Sequence, residues 1–322
     1  MLDNKKVVAV TGSSGYIGSR LLRYLEECGS YGLVAFDINP PVIPIHDIQV
    51  YRLDINRDIS SQLRESVVDT VVHLAENNYL VSNTSHQGDS QEQKIQNLQS
   101  VLASSVEAGV AHIIYISSHT VYGTNRDLPI PITEVYQLTD DKEFSYSFDN
   151  VVIENILSQF SVDHPGCLVT ILRCSPVLGP GANDNLLSIF NCTHPIGVLG
   201  YNPPFQFTHE DDLARIIELA VRDSSDGVFN LASDGVVFWR EIANLLPFKP
   251  LVIPNILVIP LVLLNKIGFP TKAATSRSAF NLMKFPVVLG TGLLKQELDY
   301  TPAYTSSETF TSFANSVLWN SN

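Results

Sequence analysis

Three residues with chemically useful side chains recur at intervals of four in the stretch YSFDNVVIE. Tyr146, Asn150 and Glu154 would therefore lie along one face of a helix. A tyrosine hydroxyl can pass a proton to or from a substrate oxygen. Asparagine can form hydrogen bonds but carries no charge. Because a phenol without a nearby cation titrates near pKa ~10, Tyr146 is expected to be a weak base at neutral pH.

Three glycines near the N-terminus form a second group with a chemical use. In VVAVTGSSGYIGSRLL, Gly12, Gly15 and Gly18 separate a strand pattern from a helical one. Such a turn lets the backbone approach a pyrophosphate, and the helix N-terminus offers free N–H groups. Asp37 ends the next strand, where a carboxylate meets the ribose hydroxyls of an adenosine and repels a 2′-phosphate. The pattern predicts binding of NAD in preference to NADP.

The elements that must hold these groups alternate along the chain. Apolar runs such as KKVVAVTG, GLVAFD, TVVHLA, HIIYISS and LVTILRC alternate with helical patterns such as YIGSRLLRYLEECG. This alternation predicts an α/β fold with a doubly wound parallel sheet of the Rossmann type. The runs rich in Val and Ile are typical of strands that are covered on both faces.

A change of pattern after Cys174 predicts a second, smaller domain. Pro and Gly interrupt the sequence there, and from Gly235 onward it indicates mainly short helices. The apolar stretch 251–269 is predicted to be a short strand ending at Pro254, then a buried helix, without a membrane span. The expected units are an NAD-binding Rossmann domain of residues 1–175 with 206–234, and a small substrate-binding domain of residues 176–205 with 235–322.

Composition excludes several classes of partner. The chain has 20 basic and 33 acidic residues, so its net charge of -13 disfavours binding to nucleic acid. The four cysteines show no metal-binding spacing and no histidine cluster accompanies them, so no metal site is expected. The N-terminal stretch MLDNKKVVAV lacks the layout of a signal peptide, and a cytoplasmic location is expected.

Several motifs together resemble those of one family. The glycine spacing is similar to that of the extended short-chain dehydrogenase/reductases, which include NAD-dependent sugar-nucleotide epimerases and dehydratases. ISSHTVYG resembles the family's SSxxVYG segment, LRCSPVLGPG resembles LRxxNVYGPG, and FTHEDDLA resembles FIHVDDLA. RLDIN, VVHLAENN and LKQELDYTP also have counterparts. The likeness extends to about Gly235 and more weakly beyond.

The resemblance implies a role for individual residues. Ser118 takes the position of the catalytic hydroxyl, and Tyr146 that of the tyrosine that transfers the proton. Asn150 stands where the family has a lysine, which lowers the tyrosine pKa and binds the nicotinamide ribose. Contacts with NAD are implied for Gly12, Gly15, Tyr16, Ile17, Gly18, Asp37, Asp54, Ile55, Leu74, Ala75, Ser117, Tyr146 and Asn150.

Two hypotheses about function follow. The first is an NAD-dependent epimerase, dehydratase or reductase that acts by hydride transfer on a hydroxy or keto substrate, including sugar-derived ones. The alternative is a catalytically impaired NAD-binding sensor or partner protein. Ser118 and Tyr146 favour the first; the second is favoured by Asn150, by Pro176 in place of a frequent Asn, and by Phe205 in place of a frequent Arg. The resemblance also implies a homodimer.

Overall fold

A parallel sheet forms the centre of the molecule. The structure is a computed structural model that describes residues 5–42, 46, 48–75, 87–139, 145–182, 196–246, 249–258, 260, 281, 283–285 and 287–318. The seven strands of the sheet are β1 (Val7–Thr11), β2 (Gly32–Asp37), β3 (Ile48–Arg52), β4 (Thr70–His73), β5 (His112–Ser118), β6 (Leu168–Cys174) and β11 (Gly227–Leu231). Their order across the sheet is β11, β6, β5, β4, β1, β2, β3, and all neighbours are parallel.

Helices cover both faces of this sheet. They are α1 (Tyr16–Cys28), α2 (Ser60–Glu65), α3 (Gln87–Ala108), α4 (Ser145–Asp163) and α5 (Glu210–Asp223). The apolar stripes of α1 and α5 meet in one buried core, whereas α2, α3 and α4 pack into a second core on the opposite face. The central strands are buried on both sides, which explains their continuous Val and Ile runs. The predicted Rossmann-type sheet is confirmed.

Short strand pairs form outside the central sheet. β7 (Val177–Leu178) pairs with β10 (Thr208–His209), β8 (Ile196–Val198) with β13 (Leu251–Ile253), and β9 (Pro204–Phe205) with β12 (Val237–Phe238). Short helices follow as predicted: α6 (Trp239–Leu245), α7 (Gly292–Glu297) and α8 (Ser306–Phe313), the last continuing into a π-helical turn, Ala314–Leu318. The sequence did not predict the strand pairs. The division into two domains stays a prediction.

The apolar stretch after residue 250 is only partly as expected. The predicted strand is present as β13, immediately before Pro254. The next residues form a single 3₁₀ turn, Asn255–Leu257, in which Ile256 and Leu257 are exposed, so burial was the wrong expectation for these two side chains. Residues 261–269 lie outside the described part of the chain. No helix in the described part is long and apolar enough to cross a membrane.

Candidate active site

The glycine turn is built by close contact between backbones. After β1, the amides of Gly12 and Ser13 donate to the carbonyl of Phe36 at 2.9 and 3.3 Å. Gly12 has φ +71°, and a Cβ there would lie 2.7 Å from backbone atoms at the end of β4, including the Leu74 carbonyl. A Cβ at Gly18 would lie 2.2 Å from the Gly12 carbonyl oxygen. These two glycines are therefore required by the fold itself.

Gly15 and the start of α1 leave room for an anion. A Cβ on Gly15 would meet one atom within 4 Å, the Gly12 carbonyl oxygen at 3.2 Å. The first turn of α1 carries no acidic residue, and no side chain caps it. Its free N–H groups and the positive end of its dipole suit a phosphate. The residues present therefore fit the pyrophosphate of a dinucleotide.

Asp37 is fixed at the carboxyl end of β2, beside this turn. Its two carboxylate oxygens accept hydrogen bonds from the backbone amides of Ser14, at 2.9 Å, and Asn39, at 2.8 Å. The carboxylate is held where a ribose would follow the pyrophosphate. Asp54 is exposed just beyond β3, where its own carboxylate accepts from the amide of Asn56.

Of the other predicted cofactor residues, some lie at the carboxyl ends of the strands and others turn their side chains into the two cores. Leu74 and Ala75 follow β4 and lie against the turn through their backbone atoms. The side chains of Ile17 and Ile55 pack into the two cores, so any contact they make with a cofactor would use backbone atoms. Ser117 lies at the end of β5, on the same edge of the sheet. Parallel strands place their carboxyl ends together, and this edge is where α/β sheets bind ligands.

Asp37 should set the choice between the two nicotinamide dinucleotides. We expect NAD to bind about tenfold or more tightly than NADP, because the fixed carboxylate repels a 2′-phosphate. Asp37→Ser should reduce this ratio severalfold, whereas Asp54→Ser at the neighbouring exposed carboxylate should leave it unchanged. Calorimetric titration of the three proteins with both nucleotides measures the ratio. Equal binding of NAD and NADP by the unmodified protein would contradict the role given to Asp37.

The hydroxyl of Ser118 is arranged to donate a hydrogen bond. It ends β5, and its oxygen accepts from the Thr120 amide at 3.3 Å and from the Thr120 hydroxyl at 2.9 Å. A serine hydroxyl has two acceptor positions and one hydrogen. Since both acceptor positions are engaged, the hydrogen is left to point toward a bound oxygen. The arrangement suits a group that holds a substrate hydroxyl or carbonyl.

His119 follows directly, a residue that the sequence analysis did not single out. Its Nδ1 lies 3.5 Å from the Ser118 oxygen, and the residue as a whole is partly exposed. Burial among the surrounding protein lowers the pKa of His119 to about 4, against a smaller opposing effect of a hydrogen bond with the Cys174 backbone. The imidazole is therefore neutral at pH 7, and its Nδ1 can accept the Ser118 hydrogen when no substrate is present.

Asn150 lies on a buried face of α4. It is 1% exposed, and its side-chain oxygen accepts a hydrogen bond from the Tyr115 hydroxyl at 3.3 Å. Tyr115 precedes Ser118 by three residues on β5, so α4 and β5 meet at this point. The backbone of Tyr146 lies in the first turn of α4, but its side chain lies outside the described atoms. The structure thus brings Ser118 and Asn150 to adjoining elements.

Comparison with known proteins identifies the family. The sequence model of the NAD dependent epimerase/dehydratase family matches residues 8–232. The chain belongs to this family. An uncharacterized protein of Mycobacterium tuberculosis is 26% identical over 95% of this chain and 82% of its own length. A UDP-glucose 4-epimerase of Yersinia enterocolitica is 27% identical over 61% of this chain and 57% of its own length.

Solved structures of epimerases and dehydratases share the whole fold. A UDP-glucose 4-epimerase of Thermotoga maritima, in a structure with UDP-glucose, has a TM-score of 0.75 and 17% identity, covering 98% of this chain and 100% of its own. A dTDP-glucose 4,6-dehydratase of Bacillus anthracis, in complex with NAD, has a TM-score of 0.73 and 15% identity, covering 98% and 97%. The epimerase/dehydratase family is one of NAD-dependent enzymes, and at these identities the structures show the shared fold.

Glu210, which departs from the motifs of the epimerase/dehydratase family, links the glycine turn to the segment around Gly181. Glu210 begins α5 where the family's FIHVDDLA has Val, and it is 7% exposed. Its carboxylate accepts from the Tyr16 hydroxyl and from the Gly181 amide, the latter at 3.0 and 3.1 Å. Burial, with the adjacent Glu210 charge, raises the pKa of Tyr16. We call this arrangement of Tyr16, Glu210 and Gly181 the clasp.

A buried ion pair between Glu154 and Arg173 lies against the end of β5. Glu154, the third residue of the spaced series, accepts from the Ser117 hydroxyl at 2.5 Å and from the Arg173 guanidinium at 2.8 and 3.0 Å. Arg173 also donates to the Tyr122 hydroxyl at 2.8 Å, and Tyr122 donates to Asn230 at 2.7 Å. Because Glu154 is engaged in this way, its role is to fix Ser117 rather than to meet a substrate.

Proposed function

We propose that this protein is an NAD-dependent sugar-nucleotide epimerase or dehydratase that works by transient oxidation of a substrate hydroxyl. The observation that carries the proposal is the placement of the Ser118 hydroxyl, with its hydrogen left to donate, on the same sheet edge as the anion-binding glycine turn. Membership of the family and the likeness to enzymes named UDP-glucose 4-epimerase support it.

The residues of the candidate site have different tasks in this mechanism. NAD, held by the glycine turn and Asp37, would supply reversible hydride transfer with the substrate carbon. Ser118 donates a hydrogen bond to the reacting oxygen, and Tyr146 takes the proton from the same oxygen and gives it back. The resemblance assigns the ribose hydroxyls to Asn150, a buried residue whose amide oxygen accepts a hydrogen bond from Tyr115. His119 stays neutral and adds no charge to the site.

The surroundings of Phe205 bear on the substrate. Phe205 is partly exposed and lies 6.4 Å, between ring centroids, from both Phe207 and Trp239. It stands where nucleotide-sugar enzymes of the family often carry Arg. An aromatic surface can stack on a base or on the apolar face of a sugar, but cannot pair with a phosphate as a guanidinium does. We therefore expect weak binding of the substrate diphosphate.

A panel of sugar nucleotides tests the proposal. UDP-glucose, UDP-glucuronic acid and dTDP-glucose are incubated with the NAD-loaded protein, and the products are separated and identified. Product analysis is needed because an internal redox cycle leaves no net NADH. A changed configuration at one carbon, or loss of water, is the expected result. If no nucleotide sugar is altered although NAD binds, the assignment as a sugar-nucleotide enzyme is wrong.

Asn150 favours a second candidate, an NAD-binding sensor or partner protein. Its buried amide is already bonded to Tyr115, and the charge that would activate a phenol is absent from that position. Under this alternative NAD binds, no substrate of the panel is altered, and Tyr146→Phe changes nothing measurable. The homodimer stays a prediction under both candidates, and size-exclusion chromatography with light scattering measures it.

A further inference from the structure

We propose that the strand pair β8–β13 and the turn after it form a surface that binds an anionic lipid bilayer. The surface lies against the bilayer without crossing it, with apolar side chains in the interface and basic side chains near the lipid phosphates. Binding of this kind needs exposed apolar side chains and positive charge close to them, and the chain has both. The proposal goes beyond the proposed function and does not depend on it.

Several large apolar side chains of this region are exposed to water. We call them the apolar patch, and its members are Leu199, Leu251, Val252, Ile256 and Leu257. Ile256 is the most exposed of them, at 81%. Leu199 is joined to the others by its amide, which donates to the Ile253 carbonyl at 2.8 Å. Four of the five lie within residues 251–257, and elsewhere in the described chain no seven consecutive residues expose more than two such side chains. Exposed apolar surface of this kind marks a contact with a protein or a membrane.

The strand pair that carries the apolar patch is packed in its own right. Val198 of β8, Ile253 of β13 and the nearby Val258 form a small buried core. Gly197 lies so close to Trp239 that an added Cβ would be 2.6 Å from the indole nitrogen. Because this element already has a buried core, the side chains of the apolar patch are not needed for its packing and remain accessible to a partner.

The sequence around the apolar patch carries positive charge only. Although the chain has 33 acidic residues among 322, none lies within 242–294, a stretch that contains five basic residues. Two of the five belong to the described part of the chain. Lys249 is exposed two residues before β13, and Lys284 follows Met283, which packs against the small core of the strand pair. In a chain with a net charge of -13, such a local excess of positive charge suits a negatively charged partner.

A bilayer suits both features better than a second copy of the chain does. In a two-fold symmetric dimer through the apolar patch, the same basic residues of the two copies would come together at the interface. Like charges brought together there oppose association. An anionic bilayer instead offers an apolar environment for Ile256 and Leu257 and phosphates for Lys249. A nucleic acid would match the charge but would leave the apolar patch in water.

Sedimentation with lipid vesicles tests the proposal on the full chain. The unmodified protein should bind vesicles of phosphatidylcholine and phosphatidylglycerol in equal parts, but not vesicles of phosphatidylcholine alone. High salt should weaken this binding, because it screens the attraction between basic side chains and phosphates. Ile256→Ser combined with Leu257→Ser should lower the affinity about tenfold, through loss of apolar surface. Lys249→Glu should also lower it about tenfold, because a repelled charge replaces an attracted one.

Two exposed residues outside the apolar patch provide matched controls. Val135→Ser removes a valine side chain that is 93% exposed, and Lys5→Glu reverses the charge of an exposed lysine. Both variants should bind the anionic vesicles as the unmodified protein does. Circular dichroism and NAD titration should be the same for all of these proteins, since none of the changes alters a buried side chain.

A tryptophan probe locates the contact. In Ile256→Trp, the added indole should shift its emission to shorter wavelength when anionic vesicles are present, because it leaves water for the interface. The spectrum of the unmodified protein is subtracted, and Val135→Trp should show no such shift.

The outcomes separate a bilayer from the other partners of an apolar surface. The proposal is overturned if the unmodified protein does not bind the anionic vesicles, or if neither the double serine variant nor Lys249→Glu weakens the binding. If light scattering shows a dimer that the double serine variant converts into monomers, and no vesicles are bound, the apolar patch joins two copies of the chain and the proposal is wrong. Vesicle binding that requires the apolar patch supports the proposal even where no sugar nucleotide is altered.

Discussion

Gly18→Ala is expected to abolish detectable NAD binding and to lower the free energy of unfolding by about 3 kcal/mol. A Cβ at this position would lie 2.2 Å from the Gly12 carbonyl oxygen and 2.8 Å from the Ser13 Cα. Both are backbone atoms, and the amides of Gly12 and Ser13 are bonded to Phe36 at the end of β2. The turn must therefore move away from α1, which removes the phosphate site. Chemical denaturation and calorimetric titration with NAD measure the two effects.

Two other glycines provide the controls. At Gly166 an added Cβ would meet no atom within 4 Å, so Gly166→Ala should leave both measurements unchanged. At Gly15 the single close atom is the Gly12 carbonyl oxygen at 3.2 Å. Gly15→Val should therefore keep most of the stability but lose NAD, because its side chain fills the space that the pyrophosphate needs. Normal NAD affinity in Gly15→Val would show that the phosphates lie elsewhere.

Tyr146→Phe is expected to reduce turnover of the sugar nucleotide by about a thousandfold, the scale of a lost general acid–base group. The aromatic ring remains, so the fold and the affinity for NAD should change little. The measurement is the rate of product formation on whichever substrate the panel identifies, together with NAD titration of the same preparation.

A tyrosine outside the site controls for the loss of a hydroxyl. Tyr24 lies on α1, on the far side of the sheet from α4, and Tyr24→Phe should retain full turnover. Turnover in Tyr146→Phe equal to that of the unmodified protein would remove Tyr146 from the mechanism.

The regular part of the fold could be predicted because each element is long enough to show its own period. β1, α1 and β2 are examples, since a buried strand, a glycine turn and an amphipathic helix leave clear patterns within a few residues. The paired strands β9 and β12 could not be found in this way. Each has two residues, fewer than one alternation needs, and their pairing joins segments far apart in the chain.

The same distinction between local patterns and distant pairings holds for the candidate site. The glycine turn, Asp37 and Ser118 are recognisable because a local motif surrounds each of them. The clasp was missed because its meaning depends on partners distant in sequence, namely Tyr16 and Gly181 for Glu210. One signal was available for Glu210, the acidic residue in place of Val within FTHEDDLA.

The clasp limits how this scaffold can be recombined. Glu210 and Tyr16 belong to the expected Rossmann unit, whereas Gly181 belongs to the segment expected in the small domain, and a Cβ on Gly181 would lie 3.0 Å from the Glu210 carboxylate. A chimera that grafts another enzyme's small domain onto this chain must bring a free amide and a glycine to that position. Without them the Glu210 carboxylate would be buried beside the glycine turn with too few hydrogen-bond partners, which would lower the stability of the chimera. The junction of such a chimera should therefore be placed after Gly181 and not at residue 175.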